Sequence, residues 1–176
     1  MWWTVSGEAI MKPIQLKTHN VLIDAPRELV FQKMTAFDRG RMPGDSTDSS
    51  RVLSRDGDAL VVEFKTKVGP ISYTTVEEVN LYPSEKIAFE HISGPLHCAL
   101  EEFTFEDRDG QTLLTHKGSI IWSRLPVIGW LGGVLYTRPM FNRFMTRHLQ
   151  QIKTSCEARA ARSHVFRRKD RSSAGS

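Results

Sequence analysis

Between about residues 50 and 122, apolar and polar positions alternate in short runs, and turn-forming residues break the runs at regular intervals. RVLSR, ALVVEFKTKV, ISYTTVEEVNLY, KIAFEHI, PLHCALEEFTFED and QTLLTHKGSIIW read as six strands, separated by DGD, GP, PSEK, SGP and RDG. Connections this short join neighbours antiparallel, so the six predict a meander. QLKTHNVLI (15–23) adds a strand before it, about seven in all. Two segments carry a helical period instead. In DAPRELVFQKMTAF, Pro26 suits the first helical position, Glu28 suits the positive end of the dipole, and Val30, Met34 and Phe37 form one stripe. The polar DRGRMPGDSTDSS that follows reads as a loop. From Arg138 to about Arg162, Met145, Leu149, Ile152 and Cys156 recur with helical spacing, and Phe141 precedes them by a turn.

The order strand, helix, six strands, long helix restricts the fold. One short helix cannot cover a sheet this wide. A strongly curved sheet wrapped around the long C-terminal helix can bury the apolar faces of both, and such a wrap tends to leave a hollow. The expected class is therefore α+β. Residues 1–13 read as an N-terminal extension, with Met1 or Met11 as the start, 14–162 as the domain, and 163–176 as a tail.

Strand parity assigns the faces. In the second meander strand, Leu60, Val62, Phe64, Thr66 and Val68 share one face, and Glu63, Lys65 and Lys67 the other. Tyr73, Thr75 and Val79 point inward with Ile71 and Leu81, and carry Glu77 with them. Ile87, Phe89 and His91 form the next inward set, and Leu114, His116, Gly118, Ile120 and Trp122 the last. PLHCALEEFTFED is ambiguous: Leu96, Cys98 and Leu100 have one parity, Phe103 and Phe105 the other, which predicts a bulge near Glu101–Glu102. The lining of the hollow is thus expected to include Phe64, Tyr73, Glu77, Phe89, His91, His116, Ile120 and Trp122, with Phe141, Phe144 and His148 from the helix. Each polar member also has an ordinary reading. Glu77 can sit in water at a strand end, His91 and His116 can be satisfied core or rim histidines, and His148 can border the core.

Leu125–Tyr136 offers twelve residues without a charge, too few to span a membrane. Pro126 and Pro139 bracket it, and Gly129, Gly132 and Gly133 suit hinges better than a rigid core helix. It reads as a lid that lays Trp130 over the mouth of the hollow.

Charge and cysteine usage add less. The net charge is +4, but residues 159–176 hold six basic side chains against Asp170 alone, so the rest of the chain is close to neutral. The basic end, RRKDRSSAGS, is expected to be disordered, and either solvated or in peripheral contact with an anionic membrane. Nucleic-acid binding is not expected, because the strands carry no exposed aromatic and basic platform. Only Cys98 and Cys156 are present, without metal-ligand spacing. This argues against a disulfide framework and for a reducing, cytoplasmic setting. The opening MWWTVSGEAIM lacks the charged start of a secretory signal. No Gly-rich phosphate loop, nucleophile elbow or HExxH occurs, and His91 and His97 have opposite parity, so neither a metal nor a cofactor is expected.

The start IDAPRELVFQKMTAFDR, the meander and the apolar P-x-x-G lead into the last helix together resemble the START-related helix-grip superfamily. The similarity is to its polyketide cyclase/dehydrase and lipid-transport branch, which includes coenzyme-Q-binding relatives, and it covers about residues 14–162. It implies a cavity between sheet and helix for a hydrophobic small molecule, which some members cyclise and many only bind or carry. No catalytic motif of the group can be matched to this sequence residue by residue.

Overall fold

The alternation along the chain produces the meander it predicts. In a computed structural model describing residues 13–38, 47–68, 71–121 and 131–173, β3 (Thr47–Asp56), β4 (Ala59–Val68), β5 (Ile71–Tyr82), β6 (Lys86–Ser93), β7 (Cys98–Arg108) and β8 (Gln111–Ile121) follow one another antiparallel. The first strand is divided. β1 (Ile14–Gln15) and β2 (His19–Ile23) both lie along β8, so the described sheet has eight strands rather than about seven. The loop expected over residues 38–50 is shorter than predicted, because Thr47–Ser50 already belong to β3.

Helix α1 (Arg27–Met34) starts just after Pro26, whose fixed φ suits the approach, and carries Glu28 in its first turn. Its Val30 and Met34, with Phe37 beyond its end, are buried against the sheet. Helix α2 (Arg138–Ser173) lies against the same core through the stripe Met145, Leu149, Ile152 and Cys156, each at most 3% exposed. Leu60, Val62, Val79, Ile87, Phe103 and Leu114 meet it from the sheet, so one apolar layer joins sheet, α1 and α2. A smaller cluster of Ile14, Leu16, Ala99 and Ile120 closes the other end, with Val134 and Phe141 packed on it.

Three features bear on the sequence expectations. The backbone helix passes Arg162 and continues to Ser173, through most of the segment read as a disordered tail. No Pro or Gly follows Pro139 in it, and its Ala, Arg and Lys are strong helix formers. Second, the lid stretch is already helical from Leu131: a wider π-helical turn, Gly133–Thr137, leads into α2, and Gly132 has ordinary helical angles. Trp122 and Trp130 lie outside the described residues. Third, β7 has no bulge. It pairs residue for residue with β8 from Cys98 to Arg108, so Ala99, Glu101, Phe103 and Phe105 share one face.

Among the described residues, no helix is long and apolar enough to cross a membrane.

Candidate functional site: a polar cluster in an aromatic wall

The regular register of β7 turns Glu101 inward with its apolar neighbours. There it stands opposite Phe89 on β6 and Gly118 on β8. His116 enters from β8, fully buried, and its Nε2–H donates to Glu101 Oε2 at 2.9 Å. The pair sits in a continuous run of rings. Phe37, Phe64, Phe89, Phe103, His116, Phe141, Phe144 and His148 follow one another at centroid separations of 4.8 to 6.2 Å. His148 ends the run stacked on Phe144, with 9° between the planes.

Six predicted lining residues therefore meet in one wall: Phe64, Phe89, His116, Phe141, Phe144 and His148. Ile120 is buried too, but in the smaller cluster beside Ala99. Glu77 faces Val62 on β4 and His91 on β6, in the interior of its strand rather than at a wet end. Tyr73 lies further toward the start of β5, opposite Thr66. His91 comes closest to its ordinary reading, since its Nε2–H donates to the Leu96 carbonyl at 3.1 Å and anchors the β6–β7 turn. Tyr73, Glu77, Phe89, His91 and Glu101 keep part of their surface open, whereas Leu60, Val62, Val79 and Ile87 on the same strands are closed. This end of the concave face is thus less tightly closed than the packed core at the other end.

Glu101 organises the electrostatics. Burial first, and then the Glu101 carboxylate, raises Glu77 from the ordinary value to about 7 and also raises Tyr73. Burial lowers His148 to about 4, and neighbouring Glu101 offsets this only in part. His91 and His19 are also lowered, chiefly by burial. Burial thus pushes acids and bases alike toward their uncharged forms.

Sequence reasoning did not single out Glu101, His19, Asn142 or Thr137. His19 stands opposite His116 in the β2–β8 register, with ring centroids 6.3 Å apart. Parity with Val21 and Ile23 could have placed it inward, just as parity with Phe103 and Phe105 could have placed Glu101. Asn142 and Thr137 had no such signal, because the π-helical turn displaces the helical phase before α2. His116 Nδ1 and His148 Nδ1, both buried in this cluster, lack a hydrogen-bond partner among the described residues, and the Asn142 side chain lies beside His19.

Gly118 gives Glu101 its room. A Cβ there would stand 3.0 Å from the Leu100 carbonyl and 3.2 Å from Glu101 Cγ. Gly118→Ala is expected to cost about 1 kcal/mol and to push the Glu101 stem off His116. Thermal unfolding and the His116 imidazole chemical shift would report the two effects, and an unchanged shift would show that the glycine does not set the pair.

A groove of about 450 Å³ is lined by Phe89, Glu101 and Gly118 together with outward-facing Asn80, Glu90, Glu102 and Lys117.

Solved structures share this architecture. TTHA0849 from Thermus thermophilus superposes with a TM-score of 0.72 at 14% identity, covering 84% of this chain and 99% of that one. The Zhui aromatase/cyclase from Streptomyces sp. R1128 gives 0.68 at 19%, covering 86% and 95%. A START superfamily protein from Mycobacterium smegmatis gives 0.62 at 18%, covering 84% and 98%. The chain thus has the START-like helix-grip fold, a curved antiparallel sheet around a long C-terminal helix. No family model matches the sequence, and no curated protein matches it at a significant level.

Proposed function

We propose that this protein binds or carries a hydrophobic small molecule, a lipid, isoprenoid quinone or polyketide-like compound, in the recess between sheet and α2. The observation that carries this reading is the set of buried, unpartnered polar atoms in a wall otherwise made of phenylalanines. Buried polar atoms are normally satisfied. Ligand pockets combine such an apolar lining with a few polar groups that fix orientation. The fold supports the reading, since solved structures with this architecture include a START superfamily protein and aromatase/cyclases. Native mass spectrometry of protein purified without added ligand should show a co-purifying apolar mass, and titration with a lipid, quinone and polyphenol panel should give saturable binding. An empty protein that binds no member of the panel would refute the function.

The Glu101–His116 pair favours a second reading, a cyclase- or dehydrase-type enzyme. A carboxylate that fixes an imidazole by one nitrogen leaves the other free to take a proton from a bound substrate. Under this reading, Glu101→Gln keeps ligand affinity within a few-fold and lowers turnover at least roughly a hundred-fold, within the range ascribed to general-base catalysis. Unchanged turnover in that variant leaves binding alone.

A further inference from the structure

The charges on the wall restrict what its ligand can carry. On the described concave face of β4–β8 the ionisable groups are Tyr73, Glu77, His91, Glu101 and His116, with Asp107 at the exposed end of β7, and neither Lys nor Arg is among them. Lys65 and Lys117 have the opposite parity and are exposed, and Arg138, Arg143 and Arg147 of α2 also point to solvent. An anionic headgroup in the recess would meet the Glu101 carboxylate with no free cation beside it among the described residues. His116 is already bonded to that carboxylate. Repulsion between like charges is strong where water is largely excluded.

Hydrogen-bonding capacity is biased the same way. The Glu101 carboxylate only accepts. His116 holds Glu101 through Nε2, and its buried Nδ1 has no partner among the described residues. Acceptors of this kind are satisfied by O–H or N–H groups. A carboxylate or phosphate brings only more lone pairs.

Building on the binding function above, we infer that the recess selects an uncharged amphiphile whose polar end donates hydrogen bonds, such as a phenol or alcohol on a ring system. It rejects fatty-acid-like carboxylates and phosphate esters of the same apolar body. Ligand identity is then set by the headgroup as much as by the apolar volume.

Three fluorescent probes of one shape test this: 1-hydroxypyrene, 1-methoxypyrene and 1-pyrenecarboxylate, titrated into the full-length protein at neutral pH. The hydroxyl compound should bind roughly ten-fold or more tightly than the methyl ether, the equivalent of one hydrogen bond, and the carboxylate more weakly than either. Glu101→Gln keeps the shape and removes the charge, so it should raise carboxylate affinity several-fold and shrink the hydroxyl preference. Equal affinity for hydroxyl and methoxy probes, or a preference for the carboxylate, overturns the inference while leaving the binding function standing. Should none of the three bind, the inference falls, and the lipid and quinone panel decides the binding function separately. If Glu101→Gln does not fold, the wild-type series alone decides between selection and its absence.

Discussion

Glu77→Gln is expected to make stability drop more steeply on acidification than it does in the wild-type protein. Glu77 is raised to about 7 in the folded protein from an ordinary value of 4.5. The native state therefore holds that proton more tightly than the unfolded chain, and stability is lost as pH rises from about 4.5 to about 7. His148 has the opposite sign. It is lowered to about 4 from 6.5, so the unfolded chain takes up the proton first, and stability is lost as pH falls from about 6.5 to about 4. Each shift is worth up to about 3 kcal/mol. These are upper limits, because both side chains keep some solvent contact. Between about pH 4.5 and 6.5 the two slopes nearly cancel. Removing Glu77 leaves His148, reinforced by the lowered His19 and His91, to destabilise the protein in acid. Removing His148 by His148→Phe, which keeps the ring on Phe144, leaves Glu77 to destabilise it as pH rises. Urea midpoints from pH 4 to 8 would show the two variants diverging in opposite directions. Parallel profiles in wild type and both variants would sink this account of the site.

His116→Phe is the second large effect. The ring volume is nearly kept and the centroid contacts with Phe103 and Phe141 can survive, so packing changes little. What changes is Glu101, which loses the only hydrogen bond found for its carboxylate among the described contacts and is left facing an aromatic wall. Losing that hydrogen bond to a partly exposed carboxylate costs about 2 kcal/mol. Glu101→Gln, whose amide oxygen still accepts from His116, should cost about 1 kcal/mol. The double replacement Glu101→Leu with His116→Phe should recover most of the loss, since no unpaired charge remains. Equilibrium unfolding of wild type, His116→Phe, Glu101→Leu and their double replacement closes the cycle and gives the coupling directly. If His116→Phe were no more costly than Glu101→Gln, the pair would be incidental to the fold.

The faces of β4, β5, β6 and β8 were readable because their apolar and polar positions alternate without interruption. Leu60, Val62, Val79, Ile87 and Leu114 are buried where parity places them. The stripe on α2 was readable for the same reason, with period 3.6 in place of 2. β7 was misread where its pattern breaks. Two adjacent glutamates interrupt an apolar strand, and a bulge that sends both outward satisfies sequence logic better than a buried carboxylate. The regular register wins because β8 supplies His116 to receive Glu101, a partner 15 residues away that strand parity alone does not reveal. Local rules tend to fail where a site demands an unfavourable group.

The linear pattern of residues was enough to dictate the architecture: a meander, two amphipathic helices, and therefore a curved sheet gripping a long helix. Periodicity follows from which faces avoid water, and that is a local property of each segment. The chemistry of the wall exists only once the chain has folded. Glu101, His116, His19, Asn142 and His148 come from β7, β8, β2 and α2, and their charges and hydrogen bonds depend on separations that register and helix phase fix together. Burial then moves Glu77 up and His148 down the pH scale, because the cost of a charge in a low-dielectric site depends on everything packed around it.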